Sequence, residues 1–250
     1  MIEQRIMLNC DMGESYGQWT MGNDEQIMPL IDMANIACGF HASDPKTMAE
    51  TIQLAVQHNV KIGAHPSYPD IVGFGRRSLA MQADELTYSI IYQVGALKAM
   101  CESFNTDVRY IKPHGALYND MLKDDEIFEA VIDAVSCFNV PLMMLAVPNS
   151  QPFLDIADRY EVPLLFEAFA DRAYLSDGSL APRHQQGAVL HDCQAVIDQV
   201  IQLTEFGKIR TLDGEMLVIE ADTLCVHGDN PNAVNILTQL SNAMGVEDDR

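Results

Sequence analysis

Positive charge is scarce in this chain. Its 250 residues hold 15 lysines and arginines against 36 aspartates and glutamates, a formal net charge of −21. Such a surface repels the phosphates of nucleic acid and of anionic membranes, so neither is an expected partner. No apolar run approaches the ~18 residues that span a bilayer. The opening "MIEQRIMLNCDMGE" lacks a basic segment followed by a long apolar one, so no signal peptide is expected. The expectation is a soluble, cytoplasmic protein.

Other absences narrow the chemistry. None of the six cysteines forms a C-x-x-C pair, which argues against a zinc knuckle or a thioredoxin motif. Cys10, Cys38 and Cys225 lie in apolar runs and read as small buried residues in a reducing compartment. There is no G-x-x-x-x-G-K-[ST] and no G-x-G-x-x-G after a strand, so a nucleotide would have to be bound in another way. Neither H-E-x-x-H nor a G-x-S-x-G elbow occurs.

Hydrophobic residues make up 48%, enough for a large core. Short apolar runs recur: "RIMLNC", "MANIACG", "VKIGAH", "RYIKPH", "PLMMLAV", "PLLFEAFA" and "TLCVHG". Helix-like segments lie between most of them. In 82–104, Leu86, Ile90, Ile91, Val94 and Leu97 make one helical stripe. In 45–58, Asp44 is a natural N-cap and Pro45 suits the first helical position. Asn230 and Pro231 repeat that start signal before Val234, Leu237 and Leu240. Alternation of this kind means parallel strands with helices outside. The reading is a single irregular (β/α) barrel of about seven parallel strands over residues 1–250, with a doubly wound open sheet as the second choice. Two stretches break the rhythm, 67–81 and 171–190, and loops that long are usually functional.

Polar residues collect where the strands end. These are Asn9, Asp11 and Glu14; His41 and Asp44; His65; Lys112 and His114; Glu167, Asp171 and Arg172; and His227 and Asp229. In a parallel barrel these ends share one mouth. Five of the seven histidines lie at such ends or, for His184, in the long loop after the sixth strand. His58 and His191 fall in helical stretches and are given no role. Each residue alone has a plainer reading. A lone histidine is more often structural, Asp11 alone suits a turn cap, and Glu167 is equally a buried ion pair or a functional acid. Lys112 is equally a simple counter-charge. The few cations beside these motifs, Arg76, Arg77, Lys112, Arg172 and Arg183, suggest a small anionic ligand or, singly, surface ion pairs.

The stretches "LNCDMGESYGQW", "ANIACGFHASDP", "IGAHPSYPDIVGFGRR", "YIKPHGALYN", "EAFADRAYLSDGSLAPR" and "VHGDNP", from Leu8 to Pro231, together resemble the LamB/YcsF family, which is associated with the A component of a bacterial 5-oxoprolinase. The resemblance implies an irregular (β/α) barrel similar to the glycoside hydrolase/deacetylase type. It implies ATP-dependent opening of the 5-oxoproline (pyroglutamate) lactam to L-glutamate, ADP and phosphate, with Mg2+ expected alongside ATP. It also implies partner subunits B and C.

For that chemistry the candidate acids and bases are Asp11, His41, His65, His114 and Glu167. Asp11 is the expected general base, and His41 and His65 are expected to order water or metal. Arg76, Lys112, Arg172, His227 and Asp229 are the candidate contacts to substrate or phosphate. Two other readings stand beside this one. A metal-dependent amide hydrolase resembling the sugar deacetylases would hold its ion on Asp11, His41 and His65, although the H-x-x-x-H helix motif common in those enzymes is absent. An accessory chain would present substrate to partner chains. All the enzymatic readings require Asp11, His41, His65 and Lys112 to face one pocket.

Overall fold

The computed structural model describes residues 6–228 and 232–243. Seven parallel strands close into a barrel: β1 (Met7–Met12), β2 (Met33–Ala37), β3 (Lys61–His65), β4 (Val108–Ile111), β5 (Leu142–Leu145), β6 (Leu164–Phe169) and β9 (Thr223–Cys225). Closure comes from β9, which pairs Leu224 with Leu8 of β1 on one side and with Ala168 of β6 on the other. That double pairing excludes the open sheet. Each of the seven apolar runs contributes one barrel strand.

Helices cover the outside: α1 (Asp24–Ile27), α2 (Pro45–Gln57), α3 (Ala83–Ser103), α4 (Gly115–Asp120), α5 (Asp125–Ser136), α6 (Gln151–Arg159), α7 (Cys193–Phe206) and α8 (Ala233–Ala243). Helix α2 starts as its sequence predicts: the Asp44 carboxylate accepts from the backbone N–H of Lys46 at 2.9 Å and of Thr47 at 3.3 Å, with Pro45 at the first position. The stripe Leu86, Ile90, Val94 and Leu97 of α3 is buried against the barrel wall. The start signal at Asn230 and Pro231 lies outside the described residues. His58 closes α2, whereas His191 lies just before α7 rather than on a helix.

A two-stranded antiparallel hairpin, β7 (Lys208–Arg210) with β8 (Met216–Val218), stands outside the barrel and was not expected. Its strands are three residues long and mostly exposed, so no apolar run announces them.

Alternation along the strands divides the interior. One set of residues, Leu8, Cys10, Ala34, Ile36, Ile62, Ala64, Leu142 and Met144 among them, packs in the main core with the helices. The other set fills the barrel. At its base Met33, Tyr110 and Met143 form a small apolar plug, with Met7 and Leu165 against it. Above the plug the filling turns polar: Tyr110 Oη donates to Asn35 Oδ1 at 2.7 Å, and Asn35 Nδ2 donates to Asn9 Oδ1 at 2.9 Å. Gly63 is the gap that admits the Tyr110 ring, which a Cβ at that position would strike. Gly63→Ala should therefore displace Tyr110 and cost about 1–3 kcal/mol. Urea unfolding would measure the loss, and unchanged stability would show that the ring has room to move.

Candidate functional site

The polar ladder inside the barrel ends in charge. Asn35 Nδ2 also donates to Asp11 Oδ1 at 2.8 Å, and Asp11 sits two residues beyond Asn9 on the same inward face of β1. The Lys112 ammonium lies in the centre. It is 3.2 Å from Asp11 Oδ1, 3.0 Å from Glu167 Oε2, 3.3 Å from Asn9 Oδ1 and 3.3 Å from Cys225 Sγ. Its Nζ also stands 5.3 Å from the centre of the Phe169 ring. Burial alone would depress the Lys112 pKa, but the charges of Asp11 and Glu167 outweigh it and raise it well above the usual lysine value. Asp11 follows the same logic in reverse. Burial would raise its pKa, while His65 when protonated and Lys112 hold it well below the ordinary carboxylate range. A carboxylate so stabilised stays ionised beside Lys112 and His65. Burial and the neighbouring Glu167 push the Tyr118 hydroxyl well above its usual pKa, so it stays protonated.

Three imidazoles pack beside Asp11. His65 ends β3, and its Nδ1 lies 2.6 Å from the backbone oxygen of Lys112. His114 lies at the start of α4, with Nε2 3.0 Å from the backbone oxygen of Phe74. His65 Nε2 is 2.9 Å from His114 Nδ1 and 3.4 Å from Asp11 Oδ2. Glu14, three residues past Asp11, brings Oε1 to 3.5 Å from His114 Nδ1 and 3.1 Å from His41 Nε2. The His41 and His114 rings are stacked, with centroids 3.8 Å apart and planes 2° from parallel. Burial, reinforced by the neighbouring imidazoles, lowers the pKa of both His41 and His114 well below the ordinary histidine value. One ligand atom each from Glu14, His41, His65 and His114 lies within 4.8 Å of the others.

The loop at 67–81 is what holds this packing. Asp70 accepts from the Gly73 N–H at 2.9 Å and pairs with the Arg77 guanidinium, fixing the turn. Gly75 follows at φ 61°, and a Cβ there would come within 2.8 Å of His41 and 2.9 Å of His114. Of the two adjacent arginines, Arg77 is thus a loop staple, while Arg76 stands over the Phe74 ring and lines the cavity.

That cavity, about 420 Å³, opens above Lys112. Asp11, His65 and His114 form part of its floor, and Arg76, Arg172 and Arg183 part of its wall. Arg172 is buried, and its Nη2 and Nε donate to the backbone oxygens of Ala181 at 2.6 Å and Ala188 at 3.3 Å. It therefore folds the 171–190 loop as well as facing the cavity. Burial first, then the nearby Arg183, brings its pKa down to about 10. Three guanidinium groups that repel one another across a cavity favour an anion between them. On another side His227 lines the cavity, with Nδ1 2.8 Å from Asp171 Oδ1 and its ring 5.2 Å from that of Phe169.

Of the four residues required to face one pocket, Asp11, His65 and Lys112 line the cavity, while His41 lies buried behind them, stacked on His114. Of the expected ligand set Asp11, His41 and His65, the two histidines fall in the cluster with Glu14 and His114, while Asp11 meets His65 and Lys112. His184 is exposed and does not line the cavity. Asp229 lies outside the described residues. Glu14 was visible as a polar residue at a strand end but given no role; its position after Gly13, at φ 69°, is what returns it to the mouth. Asn35 and Tyr118 were missed, although each lies inside a quoted family stretch, "ANIACGFHASDP" and "YIKPHGALYN", because an amide or a phenol among apolar neighbours does not stand out as the acids and histidines do.

A profile of the LamB/YcsF family matches residues 6–248. The chain is 64% identical over 244 residues to the 5-oxoprolinase A component of Vibrio cholerae, covering 98% of this chain and 99% of that one. It is 56% identical over 241 residues to the 5-oxoprolinase A component of Vibrio campbellii, covering 96% of each. Among solved structures, a lactam utilization protein from Thermus thermophilus superimposes with a TM-score of 0.89 at 37% identity, over 97% of this chain and 98% of that one.

Lys112→Met should leave Asp11 and Glu167 buried without their counter-charge and cost about 3–5 kcal/mol. Adding Glu167→Gln should restore part of that loss. Chemical unfolding of both variants checks it, and a loss under about 1 kcal/mol for the single variant would mean that the carboxylates do not depend on Lys112.

Proposed function

Since the chain belongs to the LamB/YcsF family, we propose that it is the A component of a cytoplasmic 5-oxoprolinase that opens the lactam of 5-oxoproline at the cost of ATP, together with partner subunits B and C. The reaction consumes 5-oxoproline, ATP and water and yields L-glutamate, ADP and phosphate. The observation that carries this reading is the buried Lys112 ammonium at the bottom of a cavity walled by Arg76, Arg172 and Arg183. A small amide bearing a carboxylate suits such a cavity: the arginines receive the anion and the lactam reaches the floor.

The lactam is an unreactive amide. As water adds to its carbonyl carbon, negative charge grows on the oxygen, and Lys112 stands where it stabilises that charge. Phosphorylation of the same oxygen by ATP, with Mg2+, would place still more negative charge beside the arginines. When the C–N bond breaks, the nitrogen needs a proton. His227 suits that transfer: with Nδ1–H donating to Asp171, the Nε2 lone pair takes the proton of the attacking water and then passes it to the departing nitrogen. Asp11 acts as a fixed charge that holds Lys112 and His65 in place, and Glu167 shares that task from the other side of Lys112. All six cysteines are free thiols, in keeping with a reducing compartment. No helix of the described residues is long and apolar enough to cross a membrane.

Two measurements test the reading. ATP-dependent glutamate release by the three-component mixture should disappear when this chain is left out; cleavage by the remaining components alone would make it accessory. Within the active mixture, Arg76→Ala should raise the KM for 5-oxoproline or for ATP by roughly 10- to 100-fold with a smaller change in kcat, the expected loss of one charge-assisted contact. An unchanged KM for both would remove Arg76 from ligand binding.

A further inference from the structure

The hydrogen bonds of His65 and His114 determine where their protons sit. A backbone carbonyl has no hydrogen to give, so His65 Nδ1, 2.6 Å from the Lys112 oxygen, must carry one, and so must His114 Nε2, 3.0 Å from the Phe74 oxygen. In neutral rings this leaves a lone pair on His65 Nε2 and another on His114 Nδ1. Those two atoms are 2.9 Å apart. Lone pairs that close repel unless something electrophilic lies between them, either a proton or a metal ion.

Three features favour the metal. First, each of these nitrogens also meets a carboxylate: Asp11 Oδ2 is 3.4 Å from His65 Nε2, and Glu14 Oε1 is 3.5 Å from His114 Nδ1. A single proton engages one of these three contacts, whereas one ion engages both imidazoles and Glu14 together. Second, the spacings suit it. Donors bonded to one ion at about 2.0–2.1 Å, at angles between square and tetrahedral, stand roughly 2.9–3.4 Å apart. Third, carboxylates crowd this part of the floor: Asp11 and Glu167 share the Lys112 ammonium, and Glu14 lies against His41 and His114. The carbonyls of Lys112 and Phe74 supply the outer hydrogen bonds that ligating histidines ordinarily make.

We propose that His65, His114 and Glu14 hold one divalent transition-metal ion at the floor of the cavity, with Asp11 Oδ2 beside it, 3.4 Å from His65 Nε2. Two imidazoles and a carboxylate select zinc, cobalt, nickel or manganese over magnesium or calcium. His41 is not a ligand in this arrangement. Its ring is stacked on that of His114, and two parallel rings cannot both aim a lone pair at one ion. Its Nε2 instead donates to Glu14 Oε1 at 3.1 Å, which makes it a positioning residue for that carboxylate. Such an ion stands beside Lys112, where it would polarise a carbonyl or activate water. Metal binding and lactam turnover remain separable, because a chain that takes no metal can still serve the ATP-dependent reaction.

The test uses the full chain freed of metal by a chelator and titrated with Co2+ under anaerobic conditions. The expected result is a visible d–d band that saturates at about one equivalent, displaced by Zn2+. His65→Ala and His114→Ala should each weaken Co2+ binding by roughly 100-fold or more, and His41→Ala by only about 10-fold. X-ray absorption of the Zn2+-loaded native chain, which does not depend on any variant folding, should find only nitrogen and oxygen donors, with two imidazoles. Absence of the band, binding indifferent to His65 and His114, sulfur donors, a third imidazole, or an effect of His41→Ala as large as that of His114→Ala would each overturn the assignment.

Discussion

The ammonium of Lys112 is the counter-charge on which the mouth of this barrel depends. It reaches two carboxylates, Asp11 on β1 and Glu167 on β6, the strands that flank β9, and so ties that side of the wall to the end of β4 from which Lys112 comes. An ion pair taken out of water gains little unless every remaining polar atom is satisfied. Here Asn9, Asn35 and the Cys225 sulfur surround the Lys112–Asp11 pair, whereas Glu167 Oε1 is buried with no hydrogen-bond partner among the described residues. The arrangement holds Asp11 ionised in a place where burial would otherwise neutralise it. It also fixes the height at which the barrel stops being packed and starts being a cavity.

Beneath that level the interior is graded. Methionine, leucine and tyrosine fill the base, asparagine and threonine the middle, and charge the top. A barrel of parallel strands makes such grading natural, because residues two apart on every strand lie in successive layers. Asn9 and Asp11, Met33 and Asn35, Gly63 and His65, and Leu165 and Glu167 are four such steps. The grading delivers the chemistry to one end of the barrel only.

The fold was legible because its signal is strong. Seven apolar runs separated by helical stripes admit few architectures, and polar groups at the run ends mark one rim. The hairpin of β7 and β8 was not legible, since three-residue strands facing solvent carry no hydrophobic pattern. Within the site, residue types could be read but partnerships could not. His41 looked like a companion of Asp11, yet ring stacking on His114 and the reach of Glu14 decide otherwise, and both depend on side-chain directions that spacing does not encode. The two arginines after Gly75 were likewise indistinguishable until Asp70 claimed one of them. Arg172 looked like a free cation but spends donors on the carbonyls of its own loop.

The carbonyl of Phe74 belongs to a surface loop whose neighbouring tip is open to solvent, Val72 being 91% exposed. That loop therefore acts as the selector of a tautomer. While Phe74 stays in place, His114 keeps its hydrogen on the outer nitrogen and turns a bare lone pair inward. A shift of that carbonyl by little more than a hydrogen-bond length would free the ring to exchange the two, so the tautomer of a buried imidazole hangs on the backbone of an exposed loop.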